Sequence, residues 1–227
     1  MMQLAIDTST EQASIALFEA GGIVAEVSWR AGQNHTVQLL PHLDLLLSQH
    51  SLNLESVSHI IVAKGPGSYN GLRVGVSTAK ALAFSLGLPL IGISTREAAA
   101  YQHAETGLPI CPMLNAGRSE IATAAYQMCE HTWHELEKEH LTTLDALCAR
   151  IKTKTVFCGE MLPLVATELR DRLKDMAVIP PLASVLRRAG FLAELGLKRI
   201  QAGAYDDATG LQPLYIRQPA ITKPKHR

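Results

Sequence analysis

The sequence predicts an α/β protein of two lobes, each built on a mixed sheet with flanking helices. Two observations carry this. An antiparallel meander opens the chain and runs on into helices and parallel strands, and the same order starts again after residue 107. Between Ile60 and Leu86, an apolar strand, a glycine turn and a small-residue helix follow one another. That succession is how α/β proteins present backbone N–H groups at a helix N-terminus.

The elements follow in order. Residues 4–7 form a short apolar strand, Thr8-Ser9-Thr10-Glu11 a polar turn, residues 13–18 an alternating second strand, and residues 23–29 a third strand after Gly21-Gly22. A helix spans 36–49, with Leu39, Leu40, Leu43, Leu46 and Leu47 on one stripe and Leu45 on the far side, so it has two apolar faces. Pro41 kinks it or marks its first turn. A strand at 59–63 leads through the glycine loop into a helix over 72–86, closed by Gly87. After a strand at 89–93, Ser94 and Glu97 fit a capping box opening a helix to about residue 102. Thr106-Gly107-Leu108-Pro109 marks the boundary between lobes 1–107 and 108–227, with the last strand and helix able to pack back on the first lobe.

The second half brings strands at 110–115, 120–129 and 133–137 around a polar hairpin. Thr142 or Thr143 caps a helix over 144–151. A strand at 155–158 ends in Gly159-Glu160, and two helices follow near 164–173 and 182–195. The ending Leu211-Gln212-Pro213-Leu214-Tyr215-Ile216-Arg217 is short and apolar.

Composition narrows the function. Formal net charge is zero and the pI is near 7.1, so no global basic field draws nucleic acid. The basic tail Lys223-Pro224-Lys225-His226-Arg227 reads as a solvated end. Cys111, Cys129, Cys148 and Cys158 show no Cys-x-x-Cys pair and read as ordinary buried thiols. No apolar run is long enough to span a membrane and no leader pattern opens the chain, so the expected location is cytoplasmic.

The loop Gly65-Pro66-Gly67-Ser68-Tyr69-Asn70-Gly71 matches no common phosphate binder. Walker A fails because Asn70, Gly71 and Leu72 stand where Gly, Lys and Ser or Thr are needed, and the dinucleotide fingerprint fails at Asn70. The run from Cys129 to His140 is rich in metal-ligand types but lacks His-Glu-x-x-His, since Lys138 lies four after His134. Its alternation fits a solvated hairpin. No Gly-x-Ser-x-Gly elbow supports a protease.

Gly71, Gly75, Ala79 and Ala83 recur at steps of four. Such a ridge admits close approach either by a partner or by the lobe's own sheet. The two-faced leucine helix favours an external partner. The expected partner face is therefore His35, Leu39, Leu43, Leu46, Gly71, Arg73, Gly75, Ala79, Lys80 and Ala83. His35 fits a loop anchor, and Lys80 either snorkels or pairs with a carboxylate.

Read together, Ile6-Asp7-Thr8-Ser9-Thr10, His35-Thr36, Leu39-Leu40-Pro41, Gly65-Pro66-Gly67-Ser68, Gly71-Leu72-Arg73-Val74-Gly75-Val76, Ala79-Lys80, Gly92-Ile93-Ser94-Thr95 and Pro213-Leu214-Tyr215-Ile216-Arg217 resemble the TsaB (YeaZ) family. That family lies within the ASKHA superfamily of actin, sugar kinases and heat-shock ATPases. The resemblance implies two RNase H-like ASKHA lobes. It implies that Asp7, Thr8, Ser9, Thr10, Gly65, Pro66, Gly67 and Ser68 are the remnant of a nucleotide cleft. It further implies a non-catalytic partner of TsaD, which with the ATPase TsaE transfers a threonylcarbamoyl group to N6 of the tRNA adenosine beside the anticodon. ATP and metal are then expected on the partner subunits, tRNA only through the complex, and a homodimer when the chain is alone.

TsaD-like subunits carry Gly-Val-Asn-His-Met-Glu-Gly-His, and its two metal-binding histidines correspond here to Thr95 and Ala99. Neither can replace imidazole. The competing expectation is an ATP-dependent small-molecule kinase or ATPase of the same superfamily. It needs a second acidic phosphate turn, where Asn115-Ala116-Gly117 stands instead, within a divergent stretch ending at Glu120.

Overall fold

Apolar strands buried on both faces form the centres of both sheets. A computed structural model describes residues 1–215. In chain order the elements are β1 (Met2–Asp7), β2 (Gln12–Glu19), β3 (Gly22–Arg30), α1 (His35–Gln49), β4 (Val57–Gly65), α2 (Tyr69–Leu86), β5 (Leu90–Ser94) and α3 (Thr95–Tyr101). There follow β6 (Ile110–Pro112), β7 (Leu114–Asn115), β8 (Ile121–Cys129), β9 (Thr132–Thr142), α4 (Leu144–Arg150), β10 (Thr155–Cys158), α5 (Leu162–Leu173), β11 (Ala177–Val178) and α6 (Ala189–Gln201). Ile216, Arg217 and the basic tail lie outside the described residues.

The first sheet has the order β3-β2-β1-β4-β5. β1 is antiparallel to β2 and parallel to β4, which is parallel to β5. The second sheet repeats the plan: β9 pairs β8, β8 pairs β6 antiparallel, and β10 lies parallel between β6 and β11. The duplicated order confirms two related α/β sheets.

The first sheet is covered on both faces. On one side Leu4, Ile6, Ile60 and Val62 meet Leu39, Leu43, Leu46 and Leu47 of α1 and Val76, Ala79 and Ala83 of α2. On the other, Ala5, Ala16, Ile61, Ala63, Ile91 and Ile93 meet Ala98 and Tyr101 of α3 and Ala189, Leu192, Ala193 and Leu195 of α6. Gly196 lets α6 approach closely, because a Cβ there would lie 2.3 Å from Ile61. α3 joins the lobes: its opposite face, Ala99 and Ala100, packs with Ile110, Ala124, Tyr126 and Val156 of the second sheet. α4 and α5 close the far side of that sheet over Phe157 and Met113.

Several local expectations are corrected. Leu40 is exposed rather than part of the buried leucine stripe, because it sits one position off the 39–43–46–47 face. Ser94 precedes α3 without a side-chain cap: its hydroxyl donates to Glu139, while Glu97 pairs with Arg199 at 3.3 Å. Long-range partners thus displaced the local box. The helix expected over 182–195 is a 3-10 turn, Leu182–Val185, then extended backbone, then α6. α6 starts at Ala189 because its first N–H groups find acceptors there, Ala189 N to Ser14 Oγ at 3.0 Å and Gly190 N to Glu26 Oε1 at 2.7 Å. Of the four thiols only Cys111 and Cys158 are buried; Cys129 and Cys148 are half-buried at the sheet edge and helix surface. The β8–β9 hairpin is not wholly solvated either, since Trp133 stacks on Tyr126 and meets the edge of Tyr101.

Candidate functional site

The site is the turn after β1, gripped from two sides. Asp7 Oδ1 accepts from Ser9 N at 2.9 Å and Ser9 Oγ at 2.5 Å. The loop Gly65, Pro66, Gly67 and Ser68 lies directly on this turn: Ser68 N donates to Ser9 O at 2.7 Å, and a Cβ on Gly67 would sit 2.0 Å from that same oxygen. Close backbone approach is therefore what Gly67 supplies. The loop presents its amide to a carbonyl of its own chain rather than to an anion. Ser68 also caps α2, accepting from Gly71 N at 3.4 Å.

α2 presses the turn from the other side. Thr8 Oγ1 donates to Gly71 O at 2.7 Å. A Cβ on Gly71 would meet Thr8 O at 2.1 Å, and one on Gly75 would meet Thr8 Oγ1 at 2.3 Å. His35, at the start of α1, is the loop anchor expected of it: Nε2 donates to Thr10 O at 2.7 Å.

The remaining member is Arg187, which was not foreseen. Its Nε donates to Asp7 Oδ2 at 2.9 Å, and Nη2 donates to Ser9 Oγ at 3.0 Å and Thr10 Oγ1 at 2.9 Å. Asp7 is 3% exposed and Arg187 6%. Burial alone would push the Asp7 carboxyl up; the Arg187 charge, with hydrogen bonds from Arg187 and Ser9, outweighs it and holds the group below the usual carboxylate range. Burial would likewise lower Arg187, and Asp7 holds it up. The sequence carried no signal for it: Arg187-Arg188 stands with no carboxylate between Asp175 and Glu194, a setting equally suited to solvated arginines.

The turn faces a cleft of about 410 Å³ between the lobes, lined by Thr10, Gln12, Asn115, Glu160, Pro163 and Val185 among others. Asn115 is turned inward on its own loop, Oδ1 accepting from Gly117 N at 2.8 Å, while its N–H donates to Glu160 Oε1 at 3.0 Å. The magnesium–nucleotide of this fold class does not fit these groups. The carboxylate that would serve it is already ion-paired, the second turn offers a neutral amide, and the glycine loop's Ser68 amide is taken.

The expected partner face is also corrected. His35, Leu39, Leu43, Leu46, Gly71, Gly75, Ala79 and Ala83 are all buried within the chain's own core, because the small-residue ridge of α2 receives Thr8 and the first sheet. Only Arg73 is exposed; it stacks over Tyr69, which in turn packs on Tyr215. Lys80 neither snorkels nor meets a carboxylate: Nζ donates to Thr209 O and Leu211 O, each at 3.0 Å. The outward faces of the same helices carry Val37, Leu40, Leu45 and Phe84, the last 83% exposed. Beside them runs an apolar groove of about 400 Å³ lined by Leu40, Leu43, Leu47, Leu52, Leu54 and Leu82 with Asp44 and Glu55.

Thr95 and Ala99 are buried in α3. Among the described residues no group of three or more His, Cys, Asp or Glu side chains is placed to hold a metal. No described helix is long and apolar enough to cross a membrane.

Comparison with known proteins agrees with this geometry. Residues 5–223 match the family model described as TsaD, tRNA N6-adenosine threonylcarbamoyltransferase. The chain is 32% identical over 220 residues to the tRNA threonylcarbamoyladenosine biosynthesis protein TsaB of Bacillus subtilis, covering 96% of this chain and 94% of the relative. It is 32% identical to TsaB of Escherichia coli over 142 residues, 61% of each chain. In structure it is similar to a Pseudomonas aeruginosa protein described as similar to peptidase YeaZ, with a TM-score of 0.80 at 24% identity over 95% of this chain and 99% of the other.

Proposed function

Because the chain belongs to the TsaB family, we propose that it serves tRNA threonylcarbamoyladenosine biosynthesis as a non-catalytic subunit that scaffolds a TsaD-type catalytic partner. The observation that carries this reading is the near full-length match to TsaB on a chain whose Asp7 is neutralised by Arg187. Thr95 and Ala99 stand where the resemblance places the partner's metal-binding histidines, so ATP and metal belong on the partner subunits.

The TsaD-type subunit docks on the outward face of α1 and α2. That face offers Val37, Leu40 and Phe84 beside an apolar groove, a composition suited to a protein partner. Arg73 and Tyr69 at its edge are residue types enriched among interface anchors. A TsaE-type ATPase joins through the assembled complex, a second copy uses the same face when the partner is missing, and tRNA is met only through the complex. The neutral net charge agrees with weak intrinsic affinity for tRNA. The kinase or ATPase reading lacks the second acidic turn it requires, since Asn115 is neutral and bonded to its own loop.

The test is an omit-one reconstitution. TsaD, TsaE, threonylcarbamoyl-adenylate, ATP and tRNA are combined with and without this chain, and modified adenosine is measured. Modification that depends on the chain supports the reading. Equal modification without it overturns the reading.

A further inference from the structure

We propose that Arg187 is the resident cation of the Asp7 turn, a plug built into the chain that closes this cleft to a magnesium–nucleotide. This goes beyond the tRNA reading and stands independently of it.

Three observations lead there. First, the guanidinium satisfies the turn completely: one fork meets Asp7 Oδ2, Ser9 Oγ and Thr10 Oγ1 within 3.0 Å. A planar array of fixed donors suits three acceptors diverging from one turn, which a lysine ammonium or a hydrated metal does not reproduce. Second, the plug is held from behind. Arg188 pairs with Glu26, the α6 N-terminus bonds Ser14 and Glu26, and Gln102 Nε2 donates to Ser184 O at 2.8 Å on the approach. The backbone that carries the guanidinium is thus fixed at the start of α6. Third, an acid, Glu160, lines the cleft beside Arg187, and its charge acts on the guanidinium. With Asp7 neutralised by Arg187 and Arg30 paired to Glu11 at the rim, no uncommitted cation among these groups faces an incoming phosphate.

The experiment uses the full chain and three variants: Arg187→Ala, Asp7→Asn and the double variant. Thermal midpoints are followed against magnesium–ADP and against methylguanidinium, with urea at equal concentration as the control. For the unaltered chain magnesium–ADP leaves the midpoint unchanged. For Arg187→Ala methylguanidinium restores about 4 °C or more that urea does not, and the double variant shows no such rescue. A magnesium–ADP shift in the unaltered chain that Asp7→Asn abolishes overturns the proposal. So does an Arg187→Ala protein that folds with its midpoint unchanged and ignores methylguanidinium. Should Arg187→Ala not fold, the arginine Nε–H resonance of Arg187 in the unaltered chain decides. Its persistence on adding magnesium–ADP supports the plug, and its loss overturns it.

Discussion

Arg187 Nε lies 2.9 Å from Asp7 Oδ2 although 180 positions separate the two residues in the chain. The contact ties the first turn of the protein to the segment entering its last described helix. Removing one partner leaves a buried charge uncompensated, which costs about 3–5 kcal/mol, whereas removing both can be nearly neutral. Arg187→Ala is therefore expected to lose that much in urea denaturation. Asp7→Asn combined with Arg187→Met is expected to recover most of it. A double variant whose loss equals the sum of the two single losses would show that the pair is not coupled.

The same pair sets an acid limit. The Asp7 carboxyl titrates lower in the folded chain than its ordinary value of 3.8. Its contribution is therefore complete above that value and is lost as pH falls below 3.8 through the folded value. Stability measured from neutral pH downward should drop across that acid window, with a shallower slope in Asp7→Asn. An identical slope in both proteins would contradict the assignment.

The α2 glycines should rank by what lies opposite them. Gly71→Ala drives a Cβ against the backbone oxygen of Thr8 and should cost about 3 kcal/mol; Gly75→Ala meets the Thr8 hydroxyl, which can rotate at the loss of its bond to Gly71 O, and should cost about 1–3 kcal/mol. Gly87→Ala enters open space but at a φ of 65°, costing about 1 kcal/mol. Melting midpoints of the three single variants check the order, and Gly87→Ala emerging as the worst would refute it.

Partner binding is best probed on exposed positions. Gly75→Arg would break the fold at Thr8 before it could report on an interface. Phe84→Glu and Leu40→Glu should leave stability within about 0.5 kcal/mol, because both side chains already face solvent. Each is expected to weaken association with the TsaD-type subunit at least about tenfold. Titration of labelled variants against that subunit measures it, and unchanged affinity in both would move the docking face elsewhere.

What the sequence displayed and what it concealed divide along chain distance. The meander, the strand–glycine–helix unit and its repetition were legible because alternation, turn residues and helical stripes act over a few neighbours. The polar turn at Thr8-Ser9-Thr10, the glycine loop and His35 were legible for the same reason, whereas Asp7 was marked only by the family resemblance; the structure brings them together. The capping box at Ser94 failed because Glu139 and Arg199, far along the chain, compete for its side chains. The ridge from Gly71 to Ala83 was read correctly as a close-approach surface, but spacing alone does not say whether the visitor is another protein or Thr8. Arg187 was invisible as a site residue because nothing local distinguishes it from a surface arginine. Only the topology that returns α6 to the first sheet brings it home.

That return has a consequence for synthesis. Ala5, Ala16, Ile61, Ala63, Ile91 and Ile93 are sealed largely by α6, whose residues are translated after every strand of the second sheet. While the ribosome is still making the second lobe, the first sheet is already patterned to pair but has one bare apolar face. The nascent chain must wait with that face open, and chaperone dependence or aggregation of stalled chains should centre there. Chains truncated before Ala189 are the experimental counterpart of that waiting state.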